Sequence, residues 1–455
     1  MDAIVTTFPE GPVSLGVSVA LNGADLAAIR PSPRQLAWQQ LEFYGFIHFG
    51  INTMTDREWG LGHEDPALFD PAALDADQWV RALKSAGMRA VILTAKHHDG
   101  FCLWPSRQTK HSVAFSPWRD GHGDVVREVS DAAARHGLKF GVYLSPWDRT
   151  EASYGSGEAY DDFYVAQLTE LLTNYGEIFC VWLDGANGEG PNGKRQVYDW
   201  DRYYAVVREL QPSAVISVCG PDVRWCGNEA GHTRADEWSV VGRALQSAER
   251  TAEYSQQVDD GEFAKVVRSD EDDLGSREAL AGAGGDLVWY PAEVNTSIRP
   301  GWFHHPAENG SVRPVEELFG IYQHSVGGNA AFLLNVPPAR DGLIHPIDVA
   351  TLDGLGRRID DFRSRCSGLD LAEETEIEAV VLGEDISQGQ RVEHVIVEGR
   401  TDGRWIHLAE ANSVGYQRIL TFPAVRVDRV RLTVTKARDE PVWATTSIVR
   451  TGALQ

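Results

Sequence analysis

The chain has 455 residues, 43% of them hydrophobic and 24% charged, with a formal net charge of −24. That length exceeds one typical domain, the apolar content suffices for a full core, and no low-complexity tract interrupts it, so disorder is excluded as its theme. The negative balance repels phosphate backbones and anionic lipid surfaces, which excludes nucleic acid and membranes as expected partners, and no run of about 18 apolar residues that could cross a bilayer occurs.

The opening stretch MDAIVTTFPEGPVSLG lacks the basic start and long apolar segment of a signal peptide. The compartment is left open, cytoplasmic or secreted with a leader removed. From about residue 36 to 340, short β-rich runs alternate with longer amphipathic ones, the signature of βα repeats around a parallel sheet. The runs EFYGFIHFG (42–50), RAVILTA (89–95), LKFGVYLS (138–145), EIFCVWLD (177–184) and SAVISVCG (213–220) are dense in Val, Ile, Phe and Tyr, as strands buried on both faces are. Between them DADQWVRALKSAG, GDVVREVSDAAARHG and FYVAQLTELLTNYG read as helices, the first N-capped by Asp75 and the three stopped by Gly87, Gly137 and Gly176. Later strands are predicted at DLVWYPAEV (286–294) and AFLLNVP (331–337), with a helix at PVEELFGIYQHSV between them; 240–285 is too polar to assign.

The fold class predicted is α/β: a (β/α)8-like, TIM-type barrel over residues 1–345, a linking helix over 346–369, and a second domain over 370–455. In the last segment helical periodicity vanishes, and short alternating runs such as QRVEHVIVEG and RVDRVRLTVT are parted by turns, the pattern of an antiparallel β-sandwich. The five cysteines are scattered and form no C-x-x-C pair, so they read as small core residues rather than a disulfide framework.

Barrel active sites lie at the carboxyl ends of the strands. The polar residues closing each predicted run are therefore the candidates: His48; Lys96, His97, His98 and Asp99; Tyr143, Trp147 and Asp148; Trp182 and Asp184; and Arg224, Trp225 and Glu229. Singly, a strand-end histidine is more often a satisfied core residue than a ligand-binding one; convergence of five strand ends reverses that weighting. Two acids, Asp184 and Glu229, suit glycoside cleavage, in which one carboxylate attacks the anomeric carbon and another acid protonates the departing oxygen. They are expected to leave neighbouring strands and to approach to about 5 Å, the separation of a double displacement. Glu189, Glu237 and Glu293 compete for the acid role. Trp182, two residues before Asp184, points to the same side of its strand, and Trp302 in RPGWFHH offers either a stacking face or a core ring. Two other readings stand beside this one: a divalent-metal hydrolase using His48, His97, His98 and Asp184, disfavoured because adjacent strand residues point to opposite faces, and a sugar-binding protein without chemistry.

The segments GFIHFGINT, EWG, LTAKHHDGFCLWPS, GVYLSPWD, VWLDGA and RWCGNEAG together resemble the α-L-fucosidases of glycoside hydrolase family 29, in particular the branch acting on α-1,3/1,4-linked fucose. The resemblance runs from about residue 36 to the end of the chain. It implies a retaining exo-fucosidase with a catalytic barrel and a C-terminal β-sandwich, needing no metal or other cofactor and acting on fucosylated oligosaccharides or glycoconjugates of Lewis type. By the same resemblance Asp184 matches the nucleophile and Glu229 the acid/base, 45 residues on. His48, Glu58, Trp59, His97, His98, Tyr143 and Trp182 match positions that hold the fucose ring.

Overall fold

The computed structural model describes residues 21–254, 273–281, 283 and 285–452. In chain order its first strands are β1 (Phe43–Ile47), β2 (Ala90–Lys96), β3 (Lys139–Leu144), β4 (Ile178–Leu183), β5 (Val215–Val218) and β6 (Arg224–Trp225). A two-stranded antiparallel ribbon follows, β7 (Val240–Gly242) with β8 (Leu287–Trp289), and then β9 (Ala292–Ser297) and β10 (Ala330–Asn335). Eight of these pair in parallel in the order β5-β4-β3-β2-β1-β10-β9-β6, a nearly closed barrel. Every residue of β1, β2, β4, β5, β9 and β10 is buried, because barrel interior and surrounding helices cover both faces.

Helices Ala76–Ser85, Val125–His136, Glu158–Asn174 and Trp200–Leu210 pack around the strands. Asp75, Asp124 and Asp199 cap three of them by accepting from the backbone N–H of Gln78, Arg127 and Arg202. Gly137 ends its helix at φ +75°, a left-handed conformation a side chain would resist, and turns the chain directly into β3.

One sequence expectation changes, and one strand was not foreseen. The run 286–294 is two strands in different sheets rather than one, divided at Tyr290 and Pro291; proline cannot donate to a ladder, so the chain leaves the β7/β8 ribbon there and enters the barrel as β9. No helix separates β5 from β6. A parallel pair needs a crossover of about a dozen residues or more, and residues 219–223 are too few, so the two strands meet only through a bridge between Ser217 and Val223. β6 pairs instead with β9, Arg224 opposite Ala292 and Trp225 opposite Glu293. The barrel therefore has a seam between β5 and β6.

Helix Pro346–Ser364 leads from the barrel to the sandwich and lies so close to helix Ala76–Ser85 that a Cβ on Gly356 would stand 1.9 Å from the Ser85 carbonyl oxygen. The sandwich strands are β11 (Cys366–Gly368), β12 (Thr375–Glu384), β13 (Val392–Thr401), β14 (Arg404–Ala411), β15 (Arg418–Val427), β16 (Arg429–Ala437) and β17 (Trp443–Arg450). They form antiparallel sheets β11-β17-β12-β15 and β14-β13-β16, closed over a core that includes Ile377, Leu382, Val395, Val397 and Ile448.

Candidate active site

β4 ends in the run that carries Trp182 and, two residues on, Asp184. Strand alternation puts both on the interior side, where they line a cavity of about 250 Å³ at the carboxyl end of the barrel. The Asp184 carboxylate sits beside the core because donors meet it there: the Tyr143 hydroxyl gives a 2.8 Å hydrogen bond to Oδ2, and the Ala186 backbone N–H a 2.7 Å bond to Oδ1. Charge-assisted bonds of this kind offset the partial desolvation of such an anion. Tyr143 is itself fixed by stacking on Trp182, ring centroids 5.4 Å apart.

Three imidazoles line the same cavity. His48 Nδ1 lies 2.8 Å from Asn335 Oδ1, and the Asn335 amide donates to Ser297 Oγ and to the Trp302 carbonyl. Asn335 Oδ1 must therefore accept, which places the His48 proton on Nδ1 and leaves Nε2 a bare acceptor. His98 repeats the device: Ser145 donates its hydroxyl to the Trp147 carbonyl and so accepts from His98 Nδ1 at 2.7 Å, while His98 Nε2 stands 4.0 Å from Asp184 Oδ2. His97 stacks on Tyr143 and touches His98 at 4.0 Å between ring centroids; its Nδ1 is buried without a hydrogen-bond partner among the described residues. Burial holds all three neutral, lowering His48 to about 3 and His98 to about 4, and pushing His97 well below its usual value. Neutral imidazoles with free acceptor nitrogens suit hydroxyl-bearing ligands.

Glu229 reaches the same cavity from elsewhere. It lies on the loop after β6 and not after a strand adjacent to β4; β5 stands between, so the expectation of neighbouring strands is corrected, while the two acids still line one cavity. Asn228 shapes this loop: its Oδ1 accepts from the Ala230 and His232 N–H groups, and its Nδ2 donates to the His232 carbonyl. Trp225 Nε1 ties the loop to β9 by donating to Asn295 Oδ1 (2.9 Å) and the Asn228 carbonyl (3.1 Å).

The competing acids are engaged elsewhere. Glu237 is fully buried between Arg224 (2.5 Å) and Arg234 (3.1 Å); burial alone would raise its pKa, but the two guanidinium groups outweigh it and hold the carboxyl below the usual range. Glu293 lies behind Trp182, accepting from Trp182 Nε1 at 2.7 Å and from the Tyr44 hydroxyl at 2.5 Å, and burial pushes it up to about 7. Glu189 is exposed on the loop after β4. None of the three lines the cavity, and neither do Lys96 and Asp148, which pair with each other at 2.8 Å inside the barrel wall.

Trp59, His48, His97, His98, Tyr143, Trp182 and Trp302 all line the cavity. Glu58 is not among the residues that line it. Its carboxylate lies behind Trp302, accepting from the backbone N–H of Trp302 (2.8 Å) and Phe303 (3.0 Å) and from His305 Nε2 (2.7 Å). The hydrogen bond to Glu58, ahead of a second one to Asp56, raises His305 to about 9. Glu58 thus fixes an indole whose centroid is 5.1 Å from that of His48.

Phe46, Asn295 and Arg195 also line the cavity without having been singled out. Phe46 precedes His48 by two residues and Asn295 follows Glu293 by two, so strand alternation could have found both once β9 was separated at Pro291; Arg195 sits in an irregular loop with no periodic signal. Among the described residues no group of three or more His, Cys, Asp or Glu side chains is placed to hold a metal ion, and no helix is long and apolar enough to cross a membrane.

Comparison with known proteins gives this arrangement a family. The sequence model described as alpha-L-fucosidase matches residues 27–361. The curated protein "Alpha-L-fucosidase 1" of Arabidopsis thaliana is 40% identical over 461 residues, covering 90% of this chain and 86% of its own. The crystal structure of a Bacteroides ovatus protein assigned as an alpha-L-fucosidase superimposes with a TM-score of 0.86 at 46% identity, over 98% of this chain and 78% of the other. A Ruminococcus gnavus fucosidase of glycoside hydrolase family 29, solved in complex with fucose, gives 0.76 at 26% identity over 93% and 95% of the two chains. With a nearly closed eight-stranded barrel, a C-terminal sandwich and a match over most of its length, the chain belongs to the alpha-L-fucosidase family of glycoside hydrolases, family 29.

Proposed function

We propose that the protein is a retaining exo-alpha-L-fucosidase in which Asp184 is the nucleophile and Glu229 the acid/base. The observation that carries this is that, among the described residues, Asp184 and Glu229 are the carboxylates lining the cavity, all the rival acids being ion-paired, buried behind a wall or exposed elsewhere. In the first displacement an Asp184 oxygen bonds to the anomeric carbon as the glycosidic bond breaks, and Glu229 gives its proton to the leaving oxygen. In the second, Glu229 takes a proton from water, which attacks the same carbon and releases Asp184. Tyr143 and the Ala186 N–H hold the carboxylate in place for attack.

Fucose carries three free hydroxyls and a methyl group. The acceptor nitrogens of His48, His97 and His98 serve the hydroxyls, and the rings of Phe46 and Trp302 supply the apolar wall. A neutral imidazole left without its hydroxyl would penalise a wrong sugar. The likeness to the α-1,3/1,4 branch favours Lewis-type trisaccharides over simple fucosides and α-1,2 linkages. On this reading residues 1–345 carry the chemistry, 346–369 link, and 370–455 support.

The test is release of fucose from a Lewis trisaccharide, with the anomeric configuration of the first product followed by NMR and a strong chelator in a parallel sample. Release with retained configuration, indifferent to chelation and abolished in Asp184→Ala, is the expected result. Initial inversion, or full rate in Asp184→Ala, overturns the assignment.

A further inference from the structure

The loop bearing Glu229 leaves the barrel at Cys226, and its far end is fastened both to the barrel, where Arg224 of β6 pairs with Glu237 and donates to the Trp238 carbonyl, and to the sandwich. Asp236 accepts from both the backbone N–H (3.2 Å) and the side-chain amide (2.9 Å) of Asn412. Arg418 Nη2 donates to the Ala235 carbonyl at 2.6 Å, and Ser413 Oγ to the Glu237 carbonyl at 3.2 Å. Gln390, also in the sandwich, accepts from the Ser239 N–H at 2.9 Å. Within the loop, Arg234 joins the two ends by donating to the Cys226 carbonyl (3.0 Å) and to Glu237 (3.1 Å). A displacement at residues 235–237 is therefore transmitted to the residues that flank Glu229.

The sandwich side of this contact is itself fixed on the barrel. Asn329, just before β10, accepts from the Tyr416 N–H (2.8 Å), donates its own N–H to the Gln417 carbonyl (2.9 Å) and its side-chain amide to the Glu237 carbonyl (3.0 Å); the Ile419 N–H donates to the Gly327 carbonyl (2.8 Å). Beneath the loop lies an opening of about 480 Å³, bordered by Gly231, Arg234, Ile321, Arg418 and Ile419. Polar ties as well as packing hold the loop beside this space, so its position depends in part on the groups that make those ties.

We propose that the sandwich segment 412–418 positions the acid/base: Asn412 and Arg418 are positioning residues that hold Glu229 at the distance from the leaving oxygen that proton transfer requires. This deepens the assignment of Glu229 and rests on it. Asp184 owes nothing to the segment, being held by Tyr143 and Ala186 within the barrel. Loss of the ties should therefore impair protonation of the leaving group and spare nucleophilic attack.

The readout is dependence on the leaving group. General-acid catalysis contributes about 10²- to 10⁴-fold for a poor leaving group and little for an acidic phenol. Asn412→Ala, at an exposed position, and Arg418→Gln are compared with the unaltered enzyme on a Lewis trisaccharide and on 2,4-dinitrophenyl fucoside. The expected result is a fall of about tenfold in kcat/KM on the trisaccharide and less than about twofold on the aryl fucoside, with Arg418→Lys recovering part of the loss. In a Glu229→Ala background Asn412→Ala should cost nothing further on the trisaccharide, since coupled residues are not additive. Equal losses on both substrates, or none in either variant, overturn the proposal. Glu229→Ala alone separates the failures: selectivity there without selectivity in the clamp variants removes the positioning role, and no selectivity there removes the acid assignment and the role with it.

Discussion

Asp184 and Glu229 face one cavity from seats of different kinds. Asp184 follows a fully buried strand by one residue, and its partners Tyr143 and Ala186 lie on the next strand and on its own loop. Glu229 stands four residues beyond a two-residue strand, on a loop whose outer end is held by side chains some 180 positions later in the chain. A group set by the barrel itself inherits the stiffness of the sheet. One set by a loop takes its position from wherever the loop is tied, so the two acids are exposed to different perturbations.

The largest expected effect tests the rigid half. Asp184→Ala should lower kcat on every fucoside by about 10⁴-fold or more if Asp184 is the nucleophile; steady-state rates on aryl and oligosaccharide substrates check this, and survival of either rate breaks the comparison. Glu229→Ala comes next, with a loss of about 10²- to 10⁴-fold on oligosaccharides and far less on acidic phenols; a leaving-group series measures the slope. A flat series would make Glu229 another wall residue.

A smaller effect is expected behind the cavity wall. Glu58→Ala frees the Trp302 and Phe303 backbone and should raise KM about tenfold, with a lesser change in kcat, if the indole binds substrate in ground and transition states alike. The same strap gives an alkaline signature. His305 is held protonated up to about 9 against 6.5 in the unfolded chain, so its contribution to stability is complete below 6.5 and is lost as pH rises through 9. Tm should decline and KM rise across that window, and His305→Gln should flatten both.

The smallest effect on KM is on the acid side. His48 and His98 take up protons near 3 and 4 when folded but near 6.5 when unfolded, so the unfolded state binds more protons as pH falls below 6.5. Their contribution is present above 6.5 and is lost as pH falls toward 3, which calorimetry reads as a falling Tm. KM should stay level to about pH 5, because the folded imidazoles are still neutral there.

Much of this was legible beforehand, unevenly. The barrel strands announced themselves as runs of Val, Ile and aromatic residues, and Asp184 and the paired histidines stood out because charge and polarity closed those runs. The divided strand at Pro291 was hidden because apolar residues continue on either side of it, and proline's missing donor matters only once the neighbouring ladder is known. Glu58 was named only through the resemblance, as a position that holds the fucose ring. What decides its task is the backbone of Trp302 and Phe303, some 240 residues away in the chain. Arg195 and Asn412 lie in loops and Arg418 opens β15, positions where no period links a residue to its partner.

The seam between β5 and β6 has one more consequence. A cylinder laced all round can only swell evenly, whereas one left unlaced along a meridian splays there first. That meridian runs between β5, which lies beside the stave leading to Asp184, and β6, which leads to Glu229, so thermal breathing there should widen the gap between the two acids before it disturbs His48, His97 or His98. Amide exchange in 215–225 should accordingly outrun that in β1 and β2, and activity should fade on warming before the sheet as a whole gives way.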